Sequence, residues 1–242
     1  MTKVRINRAL AQAGVASRRG AEKLIRAGRV TLNGKAVTSL ATTVDTASDV
    51  LTLDGKRLNF AEKHHYYLMH KPRGVVSTMR DERGRPCVGD SCRELRGNVN
   101  PVGRLDRASE GLLLLTDDGE LAHRLTHPRY EVSKHYRVTI SPALQDADGA
   151  RLVAGVELDD GMARLLEIVL ESSDSERSRL AVTVGEGRNR LIRRIFAQLG
   201  YSVRRLKRVQ LGSLSLGKLA LGEVRPLRPA EVLEIKRSVG IS

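Results

Sequence analysis

Along the first sixty residues the apolar positions change period. Val4, Ile6, Leu10 and Ala11, then Val15, Ala21, Leu24 and Ile25 recur at helical spacing, which predicts two short helices punctuated by Gly14 and Ser17 and ended by Gly28. From residue 30 the period is two. Val30 and Leu32 run into Asn33-Gly34, a strong hairpin signal, and Val50-Leu51-Thr52-Leu53 before Asp54-Gly55 supplies a partner strand. A helix-helix-hairpin module is therefore expected over residues 1–60.

The polar stretch 59–65 reads as a linker or edge, and Tyr66-Tyr67-Leu68-Met69 opens a second unit, residues 61–242, in β fashion. Strands are expected at 134–140, 180–184 and 232–235, and the unbroken run Leu112-Leu113-Leu114-Leu115 reads as a buried strand. One helix is expected from Asp118 to Leu125. Another spans 189–199, with Leu191, Ile192, Ile195, Phe196 and Leu199 on one face, Arg190, Arg193 and Arg194 around it, and Gly200 as its cap. Helices and strands do not alternate regularly. The expected class is α+β, with a mixed, mostly antiparallel sheet flanked by helices.

Composition narrows the partners. The chain has 242 residues, 40% hydrophobic, with 42 Lys and Arg against 28 Asp and Glu for a formal charge of +14. Such a chain builds a core and carries its charge on the surface, so its expected partner is a polyanion. No run approaches the roughly 18 apolar residues of a spanning helix, and no apolar segment follows the basic start Met1-Thr2-Lys3-Val4-Arg5. The expectation is a cytoplasmic nucleic-acid protein with no membrane association. Cys87 and Cys92 lack a second pair to complete a zinc site and read as ordinary thiols. His123 and His127 lack the glutamate of a zinc-protease helix, so no metal is expected. With no Trp, two Phe and five Tyr, a broad stacking platform for single strands is excluded.

The charge is uneven. Residues 1–60 hold eleven basic side chains against four acidic ones, residues 186–208 hold eight against one, and the remainder is neutral. Arg5, Arg18, Arg19, Lys23, Arg26 and Arg29 in the first cluster are candidates for gripping nucleic acid, and the second cluster is a solvated basic helix face or calls for an anion to offset its own repulsion. Between them, just ahead of the Leu112 run, a charged loop sets Arg104, Asp106, Arg107 and Glu110 at the mouth of a strand. A carboxylate so placed is either a structural ion pair or a reactive group kept ionised by cations.

The stretch Gly103-Arg104-Leu105-Asp106, followed by Ser109 and Gly111-Leu112-Leu113-Leu114-Leu115-Thr116, resembles the catalytic signature of the RsuA/RluB-type pseudouridine synthase family, whose single indispensable aspartate matches Asp106. Lys71-Pro72-Arg73-Gly74-Val75-Val76-Ser77 resembles the family's strand-and-turn motif. Lys134-His135-Tyr136-Arg137-Val138 resembles its Lys-x-Tyr-x-Val strand, and Glu186 to Arg194 its late basic helix. Residues 3–60 resemble the S-four-like RNA-binding domain of many members. Three positions depart from the pattern: Ser109 stands where Thr is usual, Leu191 where Gln is common and Ile195 where Met is common.

The resemblance implies isomerisation of a uridine in ribosomal RNA, with a large-subunit substrate favoured by subfamily pattern. It implies ribosomal RNA or assembly intermediates as partners, no cofactor, and action as a monomer. Asp106, Tyr136 and Arg193 are the implied catalytic trio: Asp106 attacks the ribose, an Arg193 ion pair keeps it ionised, and Tyr136 lies against a flipped base. Ile192 would form the apolar floor, and Arg104, Arg188, Arg190 and Lys71 are the implied substrate contacts. Two other readings stay open, a small-subunit rRNA synthase and a non-catalytic ribosome-associated RNA-binding protein on the same scaffold. A helix-turn-helix DNA binder is disfavoured by the hairpin that follows the two helices directly.

Overall fold

A computed structural model describes residues 3–16, 18–60 and 64–241, and the chain divides into two compact units, Met1–His65 and Tyr66–Ser242. The first contains β1 (Lys3–Arg5), α1 (Ile6–Gln12), α2 (Arg18–Arg26), β2 (Val30–Leu32), β3 (Lys35–Ala36), β4 (Thr43–Asp45), β5 (Leu51–Leu53) and β6 (Lys56–Arg57). Asn33 and Gly34 both take positive φ and turn β2 into β3; β5 pairs with β2, giving the order β3-β2-β5-β6. Asn33 also ties the hairpin to its neighbour, accepting from Val50 N at 2.8 Å and donating to Asp49 at 2.9 Å.

Helices α1 and α2 form as the spacing predicts; Ser17, between them, lies outside the described residues. Val4 is not helical. It sits in β1, paired with Val44 of β4, because Lys3, Val4 and Arg5 alternate exposed, buried, exposed, a period-two fit that so short a stretch does not separate from a helical one. Ile6, Leu10, Ala21, Ile25, Val30, Val44 and Leu51 close this unit's core.

The second unit runs β7 (Tyr66–Lys71), β8 (Asn100–Pro101), β9 (Glu110–Thr116), α3 (Gly119–Thr126), β10 (Lys134–Ser141), α4 (Asp146–Ala154), β11 (Val156–Leu158), β12 (Gly161–Ala163), β13 (Glu167–Ser173), β14 (Ser178–Val184), α5 (Leu191–Gln198), β15 (Ser202–Leu211), β16 (Leu214–Ser215), β17 (Val224–Pro226) and α6 (Pro229–Ser238). Its main sheet has the order β13-β14-β10-β15-β9-β7-β17, with β16 on β15 and β8 on β9. Only the β9–β15 contact is parallel among these described strands, so the sheet is mixed and mostly antiparallel.

Local chemistry sets the helix ends. Asp118 caps α3, its Oδ1 accepting from the backbone N–H of Glu120 and Leu121 at 3.1 and 3.0 Å. Residues 232–235 do not form the expected strand. Pro229 occupies the first turn of α6, and Glu231 reaches back to accept from Arg228 N at 2.8 Å. Val232, Ile235 and Val239 then lie at i, i+3 and i+7 on the side facing the core. A four-residue apolar fragment had masked that start signal.

Every residue of β9 is buried, and it separates two apolar layers. Leu112 and Leu114 pack with Leu121 and Leu125 of α3 and Ile235 of α6; Leu113 and Leu115 pack with Met69, Val88, Cys92 and Val99. A third cluster joins Tyr136, Val138 and Ile140 of β10 to Ile192, Ile195 and Phe196 of α5. Cys87 and Cys92 are free and buried, and burial pushes the Cys92 thiol up to about 11, which leaves it unreactive. No helix among the described residues is long and apolar enough to cross a membrane.

Where β9 meets β15, Gly111 has φ +114°, and a Cβ there would stand 2.2 Å from the backbone O and 2.6 Å from the backbone N of Arg208. Backbone atoms in a ladder do not give way. Gly111→Ala is expected to cost about 3 kcal/mol or more and to lower the melting temperature by roughly 6–12 °C in scanning calorimetry. Gly119→Ala, with open space around it, should leave the melting temperature within about 2 °C of wild type. Equal behaviour of the two variants would refute this account of the strand contact.

Candidate active site

The loop ahead of β9 carries Asp106 into a cleft of about 290 Å³ where two of the apolar clusters meet, lined by Arg104, Asp106, Tyr136, Arg190, Ile192 and Arg208 among others. The loop is held by its backbone. Lys71, at the end of β7 and fully buried, donates from Nζ to Ser109 O at 2.9 Å and Pro72 O at 2.8 Å. Ser77 Oγ donates to Leu105 O at 2.8 Å and accepts from Leu105 N at 3.1 Å. Gly74 N donates to Arg107 O at 2.7 Å, and Arg107 Nε returns a bond to Gly74 O at 3.0 Å. Ser109 N closes the turn on Asp106 O at 2.9 Å. The Lys71 to Ser77 motif is thus the cradle of the Asp106 loop.

The Asp106 carboxylate itself is uncommitted. No hydrogen bond reaches its oxygens among the described residues, and its side chain is 27% exposed toward the cleft. Its ion-pair partner is Arg190, with Nη1 3.9 Å from Oδ2. This differs from the expected Arg193 pair, and the cause is backbone geometry. Arg190 precedes α5 in the left-handed region, φ 50°, and its half-exposed side chain reaches the loop. Arg193, one turn on, spends Nη1 on Val203 O at 2.8 Å and Nη2 on Ala108 O at 3.2 Å. It clamps the loop backbone and β15 together, while burial and the charge of Arg190 lower its pKa against the pull of Asp106.

Two implied substrate contacts are spoken for within the fold. Lys71 does not line the cleft, because its ammonium is needed under the loop. Arg188 borders the cleft, but its guanidinium is held by Glu186 at 2.5 and 2.9 Å, Asp160 Oδ1 at 2.9 Å and the carbonyls of Gly161 and Met162 at 3.1 and 2.6 Å. It pins the β11–β12 hairpin rather than presenting donors to a ligand. Arg104, by contrast, is exposed at the cleft with no hydrogen bond or ion pair among the described residues. Tyr136 and Ile192 are 9% and 4% exposed and form its apolar walls.

The basic run 186–208 does not all line the cleft. Arg194 pairs with Asp160 at 2.6 Å; strand alternation turns Arg205 and Lys207 to the other side of the sheet, and Arg204, left unpaired at a register shift between Val203 and Arg205, lines the groove there with them. The cations at the base of the cleft are Lys134 and Arg208. Arg208 is 3% exposed, donates from Nε to Leu112 O at 2.8 Å, and leaves Nη2 buried without a partner. Burial pulls Lys134 down to about 8, with the charge of Arg208 adding to the effect. Arg208 was not singled out as a site residue. Its phase with the inward-facing Leu206 in a period-two strand was the available signal.

In the first unit, Arg19, Lys23 and Arg26 are exposed at i, i+4 and i+7 along α2, and Arg5 is exposed at the end of β1. Arg29 is exposed but paired with Asp54 at 2.5 Å. The side chain of Arg18 lies outside the described residues.

Comparison with known proteins agrees with this division. Residues 65–198 match the model of the RNA pseudouridylate synthase family, and residues 4–51 match the S4 domain. A protein of Mycobacterium tuberculosis named an uncharacterized RNA pseudouridine synthase is 45% identical over 241 residues, covering 98% of this chain and 95% of that protein. The ribosomal large subunit pseudouridine synthase B of Bacillus subtilis is 40% identical over 234 residues, covering 96% and 95%. A crystal structure of a pseudouridylate synthase superposes with a TM-score of 0.67 at 31% identity, covering 96% of this chain and 99% of that one.

The strut under the loop has a pH signature. Burial pulls the Lys71 ammonium from 10.5 down to about 8, with Asp106 and Glu110 opposing the shift. Below pH 8 both folded and unfolded chains hold this proton, and folding bears the full cost of burying it. Between about 8 and 10.5 only the unfolded chain holds it, so the contribution of Lys71 to stability rises with pH. Urea unfolding of wild type and Lys71→Met should show a stability difference that shifts in favour of wild type by on the order of 2 kcal/mol from pH 7 to pH 10. A difference that does not change with pH would contradict the placement.

Proposed function

The chain belongs to the RNA pseudouridine synthase family, and from that premise we propose that it converts one uridine of large-subunit ribosomal RNA to pseudouridine, with Asp106 as the reacting carboxylate. The observation that carries this reading is the state of that carboxylate: fixed in place by its backbone, free at its oxygens, beside a cation and at the head of an apolar-walled cleft. A structural ion pair would have its oxygens satisfied, as those of Asp160 and Glu231 are here. The large-subunit assignment rests on likeness to proteins so named; a small-subunit substrate is the second reading.

The chemistry asks for little else. The bond from ribose C1′ to base N1 breaks, the base turns, C5 bonds to C1′, the proton on C5 is lost and N1 gains one. Atoms and oxidation state are conserved, so the reaction calls for no redox cofactor. A target base stacked or paired in RNA has to be extruded at a cost of a few kcal/mol. In this reading Arg104, unpaired at the cleft mouth, fills the vacated place or holds a neighbouring phosphate. The base lies between the Tyr136 ring and Ile192, and Asp106 acts on the ribose. Arg190 sets a positive charge beside the carboxylate, 3.9 Å from Oδ2. Exposed Arg19, Lys23 and Arg26 of α2, and exposed Arg5 at the end of β1, grip structured RNA. In this reading the chain acts as a monomer in the cytoplasm, on ribosomal RNA or its assembly intermediates.

The test is genetic and chemical. Deletion of the gene, followed by mapping of pseudouridines in total rRNA by chemical adduct and primer extension, should remove one site in large-subunit RNA. Wild type should restore it, and Asp106→Asn should not, although its RNA affinity stays within about threefold of wild type. Loss of a small-subunit site would support the second reading. Loss of no site, or restoration by Asp106→Asn, would overturn the proposal.

A further inference from the structure

The back of the catalytic unit's sheet carries a charge that the cleft does not use. Strand alternation turns Tyr136, Val138 and Leu206 toward the cleft and core, and Arg137, Thr139, Arg205 and Lys207 to the opposite face. On the front, helices α4 and α5 cover these strands. On the back, Arg137, Arg179 and Arg205 are exposed and Lys207 half-buried. With Arg204 and Arg177 they line an open groove of about 810 Å³. Lys207 stands opposite Arg137 across the β10–β15 ladder, and Thr139 lies between Arg205 and Arg179. The backbone positions of Lys207 and Arg137 are therefore ~5 Å apart across the ladder, those of Lys207 and Arg205 ~7 Å apart along the strand, and those of Arg205 and Arg179 ~10 Å apart with Thr139 between them.

The carboxylates nearby do not neutralise it. Glu171 pairs with Arg137 at 3.1 Å and Glu110 with Arg205 at 2.7 Å. Asp174 accepts from the backbone N–H of Glu176 and Arg177 at 2.8 Å, with the charges of Arg177 and Arg179 nearby, and Glu176 stands 3.9 Å from Arg177, so these carboxylates offset part of the charge. Arg179, Arg204 and Lys207 make no hydrogen bond or ion pair among the described residues. Like charges gathered this closely repel one another, and they lower the energy of the fold only when an anion lies across them. The groove has no aromatic lining residue, so it lacks the stacking surface that single-stranded bases need. Its rigid array of donors suits a phosphate backbone, whose contacts position without reading sequence.

We propose that this back face is a second RNA-binding surface, which takes the phosphate backbone of a double-helical RNA segment. The inference rests on the family's substrate being RNA and does not depend on which uridine is modified or on the role of Asp106. A helical rRNA element adjoining the target would engage it, adding affinity for structured RNA that a short substrate cannot use.

The test uses the full chain and an RNA duplex of about 20 base pairs made of G and C only, which offers no uridine to the cleft. Binding is measured by filter retention between about 50 and 200 mM salt. The variant Arg179→Gln/Arg204→Gln/Lys207→Gln should bind the duplex about tenfold more weakly at 100 mM salt. Its slope of log affinity against log salt should be shallower by about 2–3. Glu171→Gln, which removes the carboxylate on Arg137, should instead tighten duplex binding by about two- to threefold, an outcome no folding defect produces. Turnover of a short stem-loop bearing the target uridine should stay within about twofold of wild type in both variants. Unchanged affinity and slope in the triple variant would overturn the proposal, leaving the face to solvent or to an acidic protein. So would failure of Glu171→Gln to tighten binding. An equal loss on duplex and stem-loop would likewise overturn it, by showing that the substitutions act through the cleft.

Discussion

The catalytic unit is organised around one buried charge under one loop. Lys71 is fully buried and has no carboxylate within ion-pair distance among the described residues; its ammonium donates to the carbonyls of Pro72 and Ser109. An isolated buried cation is costly unless its donors are met, so the loop that supplies Ser109 O cannot drift without exposing that cost. The hydroxyl of Ser77, the backbone of Gly74 and the guanidinium of Arg193 add further fixed points. None of these contacts touches the Asp106 carboxylate. The fold therefore fixes where the Asp106 carboxylate stands while leaving its oxygens free of hydrogen bonds among the described residues, a condition that the proposed role as nucleophile or base needs and a structural ion pair does not meet.

Charge is sorted by the pleat of the sheet rather than by sequence neighbourhood. Within β15, Arg208 turns inward to the cleft while Arg205 and Lys207 turn outward, although the three lie within four consecutive positions. Inward arginine is kept where a carbonyl of β9 meets it, and Gly111 is there because the Arg208 backbone comes within 2.2 Å of the place a Cβ would take. The close parallel crossing of β9 and β15 is what brings the Asp106 loop, Tyr136 and the basic floor of the cleft together.

Much of this was legible from pattern. Asn33-Gly34, the Leu112 to Leu115 run, a helix beginning near Asp118 and Gly200 after α5 each speak for one conformation by local chemistry, and each is found. The α+β class followed from the irregular order of those elements. What pattern did not disclose were partnerships across long sequence separation. Nothing in residues 186–194 says that Arg188 will be consumed by Asp160 and Glu186, or that Arg190 rather than Arg193 faces Asp106; a left-handed residue at the helix entry decides it. Lys71, a substrate contact by resemblance alone, is drawn under the loop by the carbonyls of Pro72 and Ser109, and Ser109 lies 38 residues away in sequence. Residues 232–235 looked like a strand because the Pro229 and Glu231 start signals lie outside the apolar fragment.

If placement of the carboxylate is what the unit is built for, moving it should matter as much as removing it. Asp106→Glu keeps the charge and the loop backbone and extends the carboxylate by one methylene. The single-turnover rate of pseudouridine formation, measured at saturating enzyme, is the direct readout. A displacement of about 1 Å costs roughly a hundredfold in a well-oriented reaction, so the rate should fall by about that factor or more, with RNA affinity unchanged. A rate within about fivefold of wild type would contradict the claim that the clamped loop sets the geometry of the reaction.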